Sequence, residues 1–469
     1  MSMFEDIPVD VGIIYEGERI RWQDAHIELG GERVDKKFEL VRAKKMDEVE
    51  DGKITIVGPD LSEMESGRSH RFSVLVEVAG AKVEEELEGV LERRIHAFFN
   101  YIKGVMHLAS RNIIQIRISK DTFKKGLNSF NIIGKILYRL YKSEFPFIEK
   151  LQVTFITEPD KVAEMYDDAL KIYEARDARA RGLKDEEVDK FYGCVLCQSF
   201  APTHVCVITP QRYSNCGAIS WFDGRAAASV DPKGPVFTVE KGDLLDPVKG
   251  EFSGVNDAVK KKSLGEITRV WLYTGFGYPH TSCGCFEGIA FYIPEVDGFG
   301  IVHRGYREVA VNGLAFSTLA DSTAGGRQVD GFHGISIEYM RSPKFLQADG
   351  GWNRMVWLPK EVKERVKDFM PAELVEKVAT EGEAKTIDEL RAFLKEHNHP
   401  IVASWKEEVV AVEEAVPAEA KEGVPTVPVV TAATMPITAG GFKIILKDAK
   451  IYAKRVIIRP VKSEKTEKR

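Results

Sequence analysis

The sequence predicts a multidomain α/β and α+β protein: an N-terminal α/β domain, a mixed α+β domain carrying every cysteine, and a flexible C-terminal tail. Three observations lead there. Short runs rich in Val, Ile and Phe alternate with helix-period segments through the first 187 residues. All six cysteines fall between Cys194 and Cys285, in a stretch dense in glycine. Beyond residue 404 the composition shifts to Val, Ala, Glu, Pro and Thr without strong periodicity, and then turns basic. The expected boundaries are 1–187, 188–404, 405–440 and 441–469.

In the first domain, strands are expected at residues 11–15, 53–57, 72–78, 113–118 and 151–156. A long helix is expected over 83–110, because Leu91, Ile95, Phe98, Ile102 and Val105 recur at spacings of three and four. A second helix follows near 131–141. The charged stretch 161–184 reads as a helical connector with few core residues, broken at Gly182 and followed by the acidic Asp185–Glu187. In the second domain, strands are expected at 269–273, 289–293 and 354–358, with closing helices near 360–369 and 387–396. Thr386 and Glu389 are spaced for a capping box on the last.

The bulk composition excludes several function classes. A net charge of −6 argues against general nucleic-acid binding, which favours a basic surface. No run of 18 apolar residues suggests a membrane span, and the acidic start MSMFEDIPVD has no apolar export signal, so a cytoplasmic location is expected. In that compartment, six thiols in one window of a large chain point to metal rather than to disulfides.

The run FYGCVLCQSFAPTHVCVITPQRYSNC sets Cys194, Cys197, Cys206 and Cys216 in a C-x2-C-x8-C-x9-C array. Four thiolates at such spacing suit a [4Fe–4S] cluster or a structural zinc, and the array alone does not separate them. The run PHTSCGCFEG places Cys283 and Cys285 on either side of Gly284. Two sulfurs and the amide nitrogens of Gly284 and Cys285 can lie in one plane around a metal. Such a donor set suits Ni(II) or Cu(II) and not zinc. A glycine between them removes the Cβ that would crowd a flattened loop. The plain alternative, two buried thiols on a turn, loses ground beside the four-cysteine array.

These two runs, together with GVLERRIHAFFNYIKGVMH, SEFPFIEK, LAFSTLA and SPKFLQADGGWNRMVWLPK, resemble the A-cluster subunit of the acetyl-CoA synthases over about residues 1–404. The form is that of the beta subunit of the archaeal acetyl-CoA decarbonylase/synthase complex. The resemblance implies an acyltransferase that makes or cleaves acetyl-CoA from CO, a methyl group and coenzyme A. It implies that Cys194, Cys197, Cys206 and Cys216 hold a [4Fe–4S] cluster, and that Cys197, Cys283 and Cys285 bridge to a proximal nickel ion. A distal nickel is completed by the amides of Gly284 and Cys285. Phe200 is implied to shape the small-ligand pocket, with ordinary packing as the plain reading. The implied partners are CO dehydrogenase subunits and a corrinoid iron–sulfur protein as methyl donor. Bacterial members carry an extra N-terminal domain that docks CO dehydrogenase, and none is expected here. The rival readings are an iron–sulfur electron-transfer or scaffolding subunit and a zinc-stabilised structural protein.

Around the cysteines, His204, His280, His303 and His333 read as structural or supporting groups rather than ligands, and Trp221 as packing. His96, Asn100, Lys103, His107 and Arg111 form a stripe on the long first helix, with Arg93 and Arg94 beside it. The stripe reads as a solvated face, with coenzyme A phosphates or a partner as the alternative. Gly325, Gly326 and Arg327 give a weak phosphate-loop signal. Residues 442–469 carry ten positive and three negative side chains, and residues 407–440 six acids and one lysine. Residues 442–460 read as a short basic hairpin on an acidic tether, either docking on a partner of the complex or standing as a solvated basic terminus.

Overall fold

The computed structural model describes residues 3–405. Met1–Glu407 form one compact unit. The expected linker and basic hairpin lie outside the described residues. No described helix is long and apolar enough to cross a membrane.

The first half contains strands β1 (Ala25–Gly30), β2 (Lys37–Ala43), β3 (Ile54–Val57), β4 (Ser69–His70) and β5 (Phe72–Ala79). Then come helix α1 (Glu88–Asn100), strands β6 (Val105–Leu108) and β7 (Gln115–Ser119), helices α2 (Lys120–Lys124) and α3 (Phe130–Glu144), strand β8 (Lys150–Ile156) and helix α4 (Pro159–Ala178). They build two mixed four-stranded sheets, in the orders β2-β5-β8-β3 and β4-β1-β7-β6. Central strand β5 is parallel to β2 and antiparallel to β8. Its alternate residues Val74, Val76 and Val78 are fully buried, as a strand covered on its inner face requires. α3 turns Ile133, Ile136, Leu137 and Tyr141 onto the same core, and Ser129 caps its first turn.

The expected helix over 83–110 is shorter than its periodicity suggested. It ends at Asn100, and residues 105–108 return as strand β6 against β7. Gly104 makes the reversal: its φ is +74°, and a Cβ there would overlap Thr122 Oγ1. Asn100 then brackets strand residue His107, accepting from its N–H at 2.8 Å and donating to its carbonyl at 2.9 Å. The strand expected at 11–15 is instead a 3-10 turn, Ile13–Tyr15, with Val11 alone bridged to Ile102. Ile13 and Ile14 stand in solvent, so no core holds that run extended.

The second half carries β9 (Lys190–Cys194), β10 (Cys206–Ile208), α5 (Trp221–Val230), β11 (Val236–Glu240), β12 (Leu244–Asp246), β13 (Glu251–Phe252) and α6 (Ser253–Lys262). It continues with β14 (Gly288–Ile293), β15 (Gly298–His303), α7 (Phe316–Thr323), β16 (Phe332–Ile335), α8 (Ile337–Met340), β17 (Met355–Trp357), α9 (Lys360–Val366) and α10 (Ile387–Glu396). β9 is the centre of a three-stranded antiparallel sheet, β10-β9-β11, and β14 and β15 are the middle strands of β16-β14-β15-β17. α10 has the expected bounds, and Thr386 and Glu389 form its capping box. Residues 269–273 are not a strand: Trp271 makes a single bridge to Pro279. The chain there turns back through Gly275 and Gly277 before pairing can extend.

Candidate metal centre

The four-cysteine array is placed by one antiparallel pair. Cys194 closes β9, Cys206 opens β10, and the two face each other in register. The loop between them tightens around Cys197, whose carbonyl accepts from the N–H groups of Phe200 (3.1 Å) and Ala201 (2.9 Å). Cys216 follows on a loop pinned by fully buried Arg212, which donates to the Leu272 carbonyl at 3.0 Å and to Asn215 Oδ1 at 3.2 Å. Asn215 in turn donates to the Thr281 carbonyl at 3.0 Å, tying this loop to the segment that carries Cys283. Cys194, Cys197, Cys206 and Cys216 line one small pocket, with Cys283, Arg93 and His204 completing the wall.

All six cysteines are free thiols. The sulfurs of Cys197, Cys283 and Cys285 lie within 4.8 Å of one another. Cys197 therefore belongs both to the four-cysteine pocket and to this trio. The Cys285 N–H points at Cys283 Sγ, 3.2 Å away, so a backbone nitrogen and a sulfur already converge. Gly284 has φ +131°, a conformation L side chains avoid, and a Cβ on it would crowd the Phe200 ring at 3.1 Å. Arg304 clamps the loop from the other side, donating to the Gly284 carbonyl at 2.5 Å and the Phe286 carbonyl at 3.3 Å.

The donor set fits a metal on chemical grounds. Burial pushes the Cys206 thiol up to about 11 and Cys194 higher still, so an empty pocket would hold neutral thiols. A bound cation reverses that preference and is what makes such a cluster of sulfurs useful. Hydrogen bonding from Cys197 and Cys283 holds Cys285 down, with Arg93 adding to the effect. Metal on Cys197, Cys283 and Cys285 would meet three thiolates with no further protein ligand required.

The groups that sequence reasoning missed come from α1. The stripe read there as a solvated face is buried: Arg93, Arg94, His96, Asn100, His107 and Arg111 are all inside, and Lys103 alone stays out, paired with Asp10. Arg93 Nη1 donates to Ser110 Oγ at 3.0 Å and Nη2 lies 4.0 Å from Cys197 Sγ, with no carboxylate in ion-pair reach among the described residues. Burial works against its charge, and the sulfurs of Cys285 and Cys197 more than reverse that, raising its pKa. His96 Nε2 approaches Cys285 Sγ at 3.7 Å. Behind it, His96 Nδ1 meets His107 Nδ1 at 3.1 Å, and His107 Nε2 meets Glu39 Oε2 at 2.8 Å. Burial, then Arg93, lowers the His96 pKa to about 3, so its ring is neutral. The structure overturns the reading because every residue of α1 is buried, whereas a polar stripe on a surface helix would face water.

The remaining histidines behave as supports. His204 bonds Thr281 Oγ1 at 3.0 Å on the pocket wall, and His280 Nε2 accepts from the Val207 N–H at 2.9 Å. His333 is buried on β16, and His303 faces Glu361 at 3.4 Å. Trp221 packs on Tyr192 and donates to the Lys190 carbonyl, in the core behind β9. The amides of Gly325 and Gly326 donate to the carbonyls of Cys283 (3.1 Å) and Ser282 (2.8 Å), and so back the C-G-C loop instead of cradling phosphate.

A mixed α/β fold brings six free cysteines together from the β9–β10 pair and the loops that follow it and precede β14, with buried Arg93 beside Cys197, a donor set of the kind that suits metal on sulfur. The chain belongs to the family of beta subunits of the CO dehydrogenase/acetyl-CoA synthase complex. Residues 7–162 match the family described as CO dehydrogenase/acetyl-CoA synthase complex beta subunit, and residues 173–409 match the family for the C-terminal part of the ACS/CODH beta subunit. The acetyl-CoA decarbonylase/synthase complex subunit beta of Methanothermobacter thermautotrophicus is 52% identical, covering 97% of this chain and 100% of the relative. Subunit beta 2 of Methanocaldococcus jannaschii is 54% identical over 97% of each chain, and the Archaeoglobus fulgidus subunit 57% identical over 85% of this chain and 76% of its own. The solved C-terminal domain of an acetyl-coenzyme A synthase alpha subunit is 37% identical, covering 26% of this chain and 96% of that one, with a TM-score of 0.24.

Proposed function

We propose that this chain is the acetyl-forming subunit of its complex, a CO-methylating acyltransferase that joins, or separates, CO, a methyl group and coenzyme A at a nickel–nickel–[4Fe–4S] centre. Cys194, Cys197, Cys206 and Cys216 would hold the iron–sulfur cluster. Cys197, Cys283 and Cys285 would hold the proximal nickel, and the Cys283 and Cys285 sulfurs with the Gly284 and Cys285 amides the distal one. The observation that carries the reading is that the trio of Cys197, Cys283 and Cys285 adjoins the four-cysteine pocket, since Cys197 and Cys283 both line that pocket and both belong to the trio. An isolated electron-transfer cluster or a structural zinc has no use for that second group.

When bound, an electron-rich nickel supplies an open position for CO and for carbon–carbon bond formation. The chain's own residues prepare the surroundings. Arg93 balances sulfur charge from within the protein. Arg304 and Phe200 grip Gly284 from two sides, which fixes the span between Cys283 and Cys285. Phe200, itself 39% exposed, lies against Gly284 at the mouth of the loop. The Glu39–His107–His96 chain holds Cys285 from behind. CO dehydrogenase subunits as the CO source and a methylcorrinoid protein as methyl donor complete the reaction.

Anaerobic elemental analysis of the purified protein tests the proposal. About four iron and about two nickel per chain are expected. Zinc alone, with no uptake of nickel, would overturn it.

A further inference from the structure

Two cavities lie in series beside the C-G-C loop. The outer one, of about 470 Å³, has Arg19, Lys37, Arg304 and Arg307 on its walls and Phe200 and Gly284 at its inner end. The inner one, of about 50 Å³, shares Arg19, Phe200, Gly284 and Arg304 with it and reaches Cys285 and His96. Together they lead from the surface towards Cys285, larger outside than inside, with Phe200 and Gly284 on the walls of both. The outer volume is that of a site for a small organic ligand.

The charges of the outer cavity are unequally satisfied. Glu32 is engaged by Arg307 at 3.2 Å and Glu361 faces His303 at 3.4 Å, leaving Asp321 as the remaining carboxylate on the wall. Against it stand three cations with no carboxylate in ion-pair reach among the described residues. Half-buried Lys37 donates only to the Val34 carbonyl, at 3.0 Å. Arg304 spends its donors on the carbonyls of Gly284 and Phe286. Arg19 is exposed and has no hydrogen-bond or ion-pair partner among the described residues. Half-buried or mouth-lining cations without counterions are suited to an anionic ligand, and phosphate is the one that Arg and Lys serve together.

We propose that the outer cavity binds the phosphate-bearing nucleotide end of the thiol substrate, with Arg19 and Lys37 as phosphate contacts. The inner cavity then admits its thin thiol-bearing arm past Phe200 towards Cys285. This rests on the acetyl-CoA reading above and assigns that substrate its site. The arrangement keeps the bulky anionic end away from the metals while only the thiol-bearing arm enters the smaller inner cavity.

The test uses the metal-loaded full chain and two ligands besides coenzyme A: adenosine 3′,5′-bisphosphate, which has phosphates and no thiol arm, and pantetheine, which has the arm and no phosphates. The double variant Arg19→Gln with Lys37→Gln is expected to bind coenzyme A and adenosine 3′,5′-bisphosphate about tenfold or more weakly by calorimetry. Its KM for pantetheine in acetyl exchange should stay within about twofold of the parent, and the charge-keeping pair Arg19→Lys with Lys37→Arg should retain most of the affinity. Unchanged coenzyme A binding in the Gln variant overturns the assignment, as does an equal loss for coenzyme A and pantetheine. If the parent binds coenzyme A as described yet catalyses no acetyl exchange, the acyltransferase reading fails while the site stands. A Gln variant with parental KM for coenzyme A and full exchange fails the site alone.

Discussion

Cys285 and Cys206 are both buried thiols near one metal centre, and geometry gives them different consequences. Cys206 stands opposite Cys194 on the β9–β10 pair, inside the four-cysteine pocket, whereas Cys285 belongs to the trio alone. Cys285→Ser is therefore expected to keep about four iron per chain, lose nickel and lose acetyl exchange, read by elemental analysis and isotope exchange. Cys206→Ser should lose iron and destabilise the fold around β9. Normal exchange in Cys285→Ser would remove the nickel assignment. A second residue-scale effect is pH-dependent. His333 and His399 lie far along the chain from the cysteines, and burial lowers their pKa values to about 3 and about 4. Below an unfolded pKa near 6.5 the unfolded chain binds protons that the folded one refuses, so stability falls as pH drops. Each should contribute a slope of about 1.4 kcal/mol per pH unit between pH ~6.5 and its folded value. Urea unfolding of the metal-free protein from pH 7 to 4 measures this, and His399→Gln should reduce the slope by that residue's share and leave the His333 share in place. The cysteines were legible as one group because all six fall within a short window of the sequence, although the four-cysteine spacing left iron–sulfur and zinc open. Arg93 and His96 were not, because nothing local distinguishes a buried cation from a solvated one.

At the scale of elements, periodicity found helices and strands that pack by apolar contact and erred where polar side chains set the ends. α3, α10, β5 and β8 came out nearly as expected, each with alternating or three-to-four spaced core residues. α1 was overextended because residues 102 and 105 continue its apolar period even after Asn100 and Gly104 have turned the chain. α4 was misjudged in another way. Its charges read as a connector with few core residues, yet Arg176 is buried, with Nη1 on Glu92 and Nη2 on Glu88, each at 2.7 Å. That cation fastens α4 to α1, the helix that also delivers Arg93 and His96. Removing it leaves buried Glu88 with Arg42 at 3.3 Å and Glu92 with Arg111 at 3.6 Å as their remaining cations, and strips their 2.7 Å contacts, a loss typically of up to about 3–5 kcal/mol. Arg176→Ala should thus lower the unfolding free energy by that amount and loosen the metal site with it, as read by urea denaturation. An effect under about 1 kcal/mol would mean that water reaches Glu88 and Glu92 and replaces the guanidinium.

At the scale of the whole molecule, the site is assembled from both halves: sulfurs from the second, the buried arginine and histidine from the first, and the outer cavity from Arg19 and Lys37 on one side and Arg307 on the other. Sequence could assign each half its class but not this convergence, which depends on α1 facing the loops of β9 and β14. The same view separates the body from the tail. Trp405 still belongs to the body, since its Nε1 donates to the Val296 carbonyl at 2.8 Å and Arg391 lies over its ring at 5.5 Å. A truncation should therefore fall after Trp405. It removes the acidic stretch and the basic end, whose ten positive charges against three negative favour an acidic partner surface. Metal content and acetyl exchange with small-molecule reagents should be unchanged, because every cysteine and every cavity residue precedes the cut. Methyl transfer from a corrinoid partner, or assembly with other members of the complex, should weaken, since a tethered contact raises local concentration and its loss acts on association alone. The residual binding should also depend less on salt, because the screened charges have gone. Partner binding that is as tight and as salt-sensitive in the truncated chain as in the full one would assign the basic end no docking role.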